Sequence, residues 1–467
     1  MQRSIICSHL NINTIAVKLR EGQMQSPADY LHLARRDPDL PGLQRLLDVD
    51  AFAEIIQAQL SDADLRQVRR TYIRYKPATS CLVSYELDIA GTKTLAYAKA
   101  VTARAMDKLE KYRHRPGVPG FFGLQRTVLL PEKIIISGFP NDNRLKQLPK
   151  LTDPSAWQKR LQKMLPDAPD LWTAELHTLR YKPERRYVGQ LNIKGQPKAV
   201  VKAYTNDSFR QAKANAKTFQ SIASVQVIPR LGHSNQDCLL VFPWVTGQPL
   251  NDLAFISSNW DLFAQTGATL AHLHQQNPKH LLCLSRTDEV TNLLSVAADL
   301  SWLCPQWKRR IQTIAVTVSA NLLDSPSPST AIHGDFNAEQ VLCSTDRNLT
   351  KDAITFIDFD RAIRSDPSAD LGSFIAKLHW DELRQALSAE QREQLASALI
   401  SGYRTVAPNL VSSEQIQQYI TIGLLRLAAE PFRYCDPDWL NKIDAILQRI
   451  EKILSHLPPS SFRSRIA

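Results

Sequence analysis

The chain has no run of eighteen consecutive apolar residues, so no membrane-spanning helix is expected. Its first residues, Met1-Gln2-Arg3-Ser4-Ile5-Ile6-Cys7, lack the apolar centre of a secretory leader. The seven cysteines (Cys7, Cys81, Cys238, Cys283, Cys304, Cys343, Cys435) are scattered, and no pair has CxxC spacing. That excludes the usual zinc and disulfide patterns and fits a cytoplasmic location. The formal charge of +11 is not concentrated in a basic tract. Its densest pieces, Arg66-Gln67-Val68-Arg69-Arg70 and Lys108 to Arg115, read as solvated helix faces, so no nucleic-acid partner is indicated.

What is present is an ordinary globular composition. With 43% hydrophobic and 22% charged residues, no long disordered region is expected. At 467 residues the chain is long enough for two or three domains. A weak internal repeat runs Ile73-Arg74-Tyr75-Lys76-Pro77 to Tyr97-Ala98-Lys99-Ala100-Val101, then Leu179-Arg180-Tyr181-Lys182-Pro183 to Val200-Val201-Lys202-Ala203-Tyr204. Each copy reads as three strands joined by turns, with Ala90-Gly91-Thr92 and Lys194-Gly195-Gln196 as matching turns. A helix is expected after each, over Thr102–Tyr112 and Ser208–Ile222, followed by strands at Lys133–Ile136 and Cys238–Phe242. Coincidental tripeptides within one larger sheet are the alternative to duplication.

Past Phe242-Pro243-Trp244-Val245-Thr246-Gly247-Gln248-Pro249-Leu250, which reads as a hinge, the pattern turns helical. Helices are expected over Asp261–His274 and Leu440–Leu457. The second carries Ile443, Ile446, Leu447, Ile450, Ile453 and Leu454 on one stripe, a core-facing pattern. The tail from Pro458 reads as loose. The expected divisions are 1–150, 151–243 and 244–467.

The chemistry concentrates in Ala331-Ile332-His333-Gly334-Asp335-Phe336-Asn337-Ala338-Glu339-Gln340 and in Ile357-Asp358-Phe359-Asp360. Asp335 follows a tight His-Gly turn and can project its carboxylate to hold an acceptor hydroxyl. Asp358 ends an apolar strand-like run, Ala353 to Ile357, and can reach a magnesium ion from a rigid base. Gln340 precedes the strand Val341-Leu342, and its amide oxygen can complete the coordination. The turn Thr345-Asp346-Arg347-Asn348 between the two strands predicts a hairpin that brings Gln340 to Asp358. His333 reads as a brace for the loop. Asp360 reads either as a second metal contact or as a solvent-facing charge. Asp370 reads as a cap of the helix Leu371–Leu378 that also ties down the loop.

This ordered set, with Asp366-Pro367 and Asp370-Leu371-Gly372 after it, resembles the aminoglycoside phosphotransferase and choline-kinase group. The hinge at Trp244–Leu250 and Gly267 with Leu270-Ala271-His272-Leu273-His274 are similar to that group as well. The resemblance implies an α+β, protein-kinase-like two-lobed fold. The N-terminal α+β unit would be a duplicated N-lobe, the second unit the nucleotide-binding lobe, and the C-lobe mainly helical. It implies transfer of phosphate from ATP, with Mg2+, to a hydroxyl of a sugar, aminosugar, aminoglycoside or amino alcohol. Asp335 would be the base, Gln340 and Asp358 the metal ligands, and Lys202 the phosphate lysine. Arg185 and Arg186 would contact phosphate directly. An acceptor pocket would include Trp380, Asp381, Glu430 and Asp436. Lys99 holds the corresponding place in the first unit, but only the second unit adjoins the C-lobe in sequence.

Three departures stand beside the resemblance. Gln340 replaces the usual asparagine, keeping the amide oxygen on a longer arm. No glutamate lies between Lys202 and Phe242, which leaves Gln211 or Gln220 as expected partners of the lysine. The turn Lys182-Pro183-Glu184-Arg185-Arg186 contains no glycine. These departures keep a nucleotide-binding pseudokinase open as the alternative. The sequence does not indicate an oligomeric state.

Overall fold

Two five-stranded antiparallel sheets follow one another along the chain with the same strand order. The computed structural model describes residues 27–60, 63–222, 225–254, 260–326, 328–344 and 354–458. The segment Met1–Cys7, the turn at 345–348 and the tail beyond Pro458 lie outside the described residues.

The first unit contains α1 (Pro27–Arg36), α2 (Leu43–Leu47), α3 (Val49–Gln57), β1 (Leu65–Lys76), β2 (Ser80–Ile89), β3 (Thr92–Val101), α4 (Met106–Arg113), β4 (Arg126–Leu129) and β5 (Ile134–Gly138). The second contains α5 (Leu148–Leu151), α6 (Pro154–Met164), β6 (Glu175–Lys182), β7 (Arg186–Ile193), β8 (Gln196–Tyr204), α7 (Asn206–Asn215), β9 (Gln226–Val227), β10 (Gly232–Ser234) and β11 (Leu239–Pro243). The sheets run β1-β2-β3-β5-β4 and β6-β7-β8-β11-β10. In β7, Tyr187, Gly189 and Leu191 alternate inward, the period expected of a strand with one buried face.

The duplication extends beyond the strands. Asp48 caps α3 through the backbone amides of Asp50 and Ala51, and Asp153 caps α6 through those of Ser155 and Ala156. Asp37 accepts bonds from Tyr75 Oη at 2.7 Å and from the Ala78 amide at 2.9 Å. Asp142 accepts bonds from Tyr181 Oη at 2.7 Å and from the Glu184 amide at 2.8 Å. Ala78 and Glu184 both have left-handed backbones, φ +49° and +57°. Roughly 105 residues separate each matching pair, about the length of a small domain.

The remainder contains β12 (Gln248–Pro249), α8 (Leu250–Ala254), α9 (Trp260–Gln276), α10 (Arg286–Leu303), α11 (Lys308–Asp324), β13 (Thr330–Ile332), β14 (Val341–Cys343), β15 (Ile354–Phe356), β16 (Ile363–Ser365), α12 (Ser368–Leu383), α13 (Ala389–Val406), α14 (Ser413–Leu427), α15 (Glu430–Arg433) and α16 (Trp439–His456). Capping boxes at Ser285, Ser388 and Ser412 start α10, α13 and α14. Helices α9 and α13 approach closely where Gly267 faces the Leu399 carbonyl and Gly402 the Ala264 carbonyl, positions with no room for a side chain. Ile443, Ile446, Leu447 and Ile450 of α16 are buried, as the stripe predicts.

The second unit has a core of its own, built on Trp157, Leu161, Tyr187, Val201 and Val241. The first unit instead shares one continuous core with the helical lobe. Tyr30 of α1 lies 5.9 Å from Phe432 and 6.4 Å from Trp439, ring centre to ring centre. Trp302 of α10 donates to Tyr75 Oη at 2.8 Å. Among the described residues no helix is long and apolar enough to cross a membrane.

Candidate active site

Strand β13 runs into the loop that carries Asp335. His333 is fully buried, and its Nε2 lies 2.8 Å from the Ile357 carbonyl, the bracing role expected of it. Gly334 has φ +78°, and a Cβ there would meet the Arg361 carbonyl, so only glycine fits the turn. The amides of His333 and Gly334 both donate to Asp370, at 2.7 and 2.9 Å. Asp370 also meets His274 Nε2 at 3.1 Å, and His274 Nδ1 lies 2.9 Å from Tyr403 Oη. Burial pushes the Asp370 carboxyl up, but His274 and the amide of His333 outweigh it and hold it below the usual range. Asp370 is therefore the anchor of the loop and not the cap of α12. It sits inside that helix's first turn, and Asp366 instead accepts the Ser368 amide, at 2.9 Å.

With the loop fixed from behind, the Asp335 side chain projects forward and is 46% exposed. Its nearest charged partner is Arg361, with Nε 3.7 Å from Oδ2. A positioned, open carboxylate can hold and accept a proton from a hydroxyl.

Strands β14 and β15 pair antiparallel, Val341 opposite Phe356, and the Ile357 amide donates to the Gln340 carbonyl at 3.0 Å. The predicted hairpin pairing thus brings Gln340 beside the residue that precedes Asp358. Asp358 is left-handed, φ +67°, which turns its side chain toward the second unit. Lys202 Nζ donates to its Oδ1 at 2.7 Å, and Arg186 Nη1 contacts both oxygens at 3.0 and 3.1 Å. Arg186 also donates to Asp360 at 2.8 Å, and Tyr204 Oη donates to Asp360 at 3.0 Å.

The four charged side chains are only 12–23% exposed. Burial opposes ionisation of Asp358, but Lys202 and Arg186 outweigh it and hold its carboxyl well below the usual range. Burial and the neighbouring Asp358 carry Asp360 the other way, upward. Asp360 is thus not the solvent-facing charge that one reading allowed. Nor do glutamines serve Lys202: its partners are Asp358 and, at 3.7 Å, Asp360, while the Gln220 backbone is bound by Gln276.

The rest of the β6–β7 turn is also basic. The Arg185 residue is exposed, and its guanidinium is held below the usual range by partial desolvation of the charged group and by Arg74, Arg433 and Arg361. Lys182 is pushed down to about 8 by burial and by Arg180 and Arg186, with Glu430 and Asp335 opposing. Lys182 therefore senses the charge of Asp335. Its signal was in plain view as the lysine of the repeated Tyr-Lys-Pro, read only as a repeat marker.

The residues expected of an acceptor pocket are Trp380, Asp381, Glu430 and Asp436. Glu430 is near Lys182 and paired with Arg433 at 2.7 Å. Trp380 is 4% exposed within the helical core, Asp381 is a buried carboxyl raised to about 6, chiefly by burial, and Asp436 is taken by Lys442 at 2.5 Å.

Among the described residues no group of three or more His, Cys, Asp or Glu could hold a metal alone. The oxygen donors of the cluster are Asp358, held ionised, and Asp360, with Gln340 joined to Ile357 through the backbone. Hard oxygens of this number suit a magnesium ion that shares its coordination with phosphates. Asp358 and Gln340 would hold it.

Residues 185–408 match the phosphotransferase enzyme family. No curated protein matches the chain. Similar solved structures include a choline/ethanolamine kinase family protein from Mesorhizobium loti, 15% identical over 64% of this chain and 94% of that one, TM-score 0.45. Aminoglycoside phosphotransferase APH(4)-Ia is 15% identical over 65% and 99%, TM-score 0.46. A mutant of that protein in complex with ADP and hygromycin B is 15% identical over 64% and 97%, TM-score 0.44. The resemblance drawn from the motifs is the family that residues 185–408 match.

Proposed function

We propose that this phosphotransferase moves the terminal phosphate of ATP to a hydroxyl of a small molecule, in the cytoplasm. The observation that carries the reading is the juxtaposition of an open carboxylate with a buried ion-pair cluster. Asp335 is held forward by Gly334 and Asp370, and Lys202 and Arg186 converge on Asp358 and Asp360. In this reading Asp335 orients the acceptor hydroxyl and takes its proton. Lys202, Arg185 and Arg186 bind the nucleotide phosphates, and Lys182 adds charge where the phosphoryl group passes. Bound magnesium, held by Asp358 and Gln340, would neutralise charge developing on the phosphates. The divisions 1–150, 151–243 and 244–467 would serve as buttress, nucleotide lobe and catalytic lobe.

ATP consumption measured across sugars, aminosugars, aminoglycosides and amino alcohols tests the proposal. Acceptor-dependent ADP release that disappears in Asp335→Asn supports it, and no release with any acceptor class counts against it. One observation favours a nucleotide-binding pseudokinase as the second reading: both Asp358 oxygens are already engaged by cations. Nucleotide binding without turnover would select that reading.

A further inference from the structure

The lysine of each repeat grips an acid on the module that follows it. Lys202 reaches Asp358, 156 residues on. Lys99, at the matching place in the first unit, reaches Glu184 in the β6–β7 turn, 85 residues on, at 2.6 Å. The match is register-deep: Lys99 lies opposite Leu82 and Ile135, and Lys202 opposite Val188 and Leu240. Glu184 thus occupies, against the first unit, the place Asp358 occupies against the second.

Glu184 is 3% exposed and is held from several sides by residues that precede the second sheet. Lys99 takes Oε2, Arg74 approaches the same oxygen at 3.4 Å, and Asn143 donates to Oε1 at 3.4 Å. Arg74 also donates to the Pro183 carbonyl at 3.3 Å. The Glu184 amide is bound by Asp142. The adjoining residues of this turn are Lys182, Arg185 and Arg186. A turn without glycine is clamped, where a glycine-rich one would move.

We propose that the first unit is a clamp on the phosphate-side turn, with Lys99 and Glu184 as positioning residues that set Arg186 and its neighbours for the nucleotide. The inference rests on the nucleotide-lobe reading of the second unit. A buried carboxylate that loses its closest cation keeps only the longer Arg74 contact, at 3.4 Å, as counter-charge, so the clamp weakens. The first repeat shows that the turn tolerates a small residue, since Ala78 adopts the same left-handed backbone. Glu184→Ala therefore removes the grip while retaining an allowed turn.

The test uses the full chain with two readouts. Hydrogen exchange of the amides of Lys182 and of residues 184–187, without nucleotide, should accelerate about tenfold in Lys99→Met and in Glu184→Ala, and stay near wild type in Lys99→Arg. The Kd for magnesium and AMP-PNP should weaken about tenfold in the first two variants, with the double variant no worse than either, the coupling expected of one contact. A merely structural pair would lower the melting temperature yet leave both readouts unchanged in the folded protein. Unchanged exchange in a folded Lys99→Met or Glu184→Ala overturns the clamp. Should the wild type bind no AMP-PNP, the nucleotide reading falls, and the exchange arm alone judges whether the turn is clamped.

Discussion

Lys202 Nζ sits 2.7 Å from Asp358 Oδ1, joining β8 of one module to the end of β15 in another. Lys202 thus pairs with an aspartate far along the chain and not with a glutamine near it. In the proposed nucleotide site, cation and anion are each other's partners. Phosphates would compete for the lysine while a metal competes for the carboxylate, so both exchanges are expected together.

Asp335→Asn keeps the shape of the loop, since its fixed points are Gly334 and Asp370. Turnover should fall more than about a hundredfold, with nucleotide Kd nearly unchanged, the split expected of a lost base. Steady-state kinetics beside calorimetric nucleotide titration measures both, and near-normal turnover would remove Asp335 from its role.

Gln340→Asn restores a shorter amide and should retain activity within about tenfold. Gln340→Leu, which removes the oxygen, should raise the magnesium concentration for half-maximal rate by a similar or larger factor. Magnesium titrations of the two variants decide this, and equal curves for Leu and wild type would take Gln340 out of the metal site.

Lys182 titrates near 8 in the fold and near 10.5 when unfolded, because burial and two arginines disfavour its charge. Its ammonium is thus lost from the folded protein as pH rises through about 8. Folding stability from this group increases over the window from 8 to 10.5, since the unfolded chain binds the extra proton. Phosphate affinity moves the opposite way, falling above about pH 8. The KM for ATP measured from pH 7 to 9.5 should rise in wild type and stay flatter in Lys182→Arg.

Gly334→Ala must be accommodated at φ +78° against the Arg361 carbonyl. The cost should be about 2 kcal/mol or more, read as a lower denaturant midpoint. Activity should fall further than stability, because the shift moves Asp335 directly.

The α+β class and the turns that carry the candidate residues were legible because each rests on local signals. Strand alternation, the His-Gly turn and two acids at strand ends are written within a few residues of one another. The reach of the repeat was not. Asp37 lies in Arg36-Asp37-Pro38 and Asp142 in Asn141-Asp142-Asn143, so their shared task shows only when Tyr75 and Tyr181 fold onto them. The helix expected over 208–222 ends at Asn215, because that side chain turns away to bond the carbonyls of Asp360 and Ala362. Phe219 beyond it packs on Phe359, ring centres 5.1 Å apart, so apolar spacing there served a loop. The pairing of Asp358 with Lys202 was not legible, since it spans 156 residues.

The core that Tyr30 shares with Phe432 and Trp439 ties the two ends of the described chain together around the middle unit. A fragment trimmed to residues 185–408 would leave out Tyr30, Phe432 and Trp439 alike, and with them the closure. In heat or denaturant the two ends should melt as one cooperative block, while the middle unit, with its separate core, is free to melt at its own midpoint.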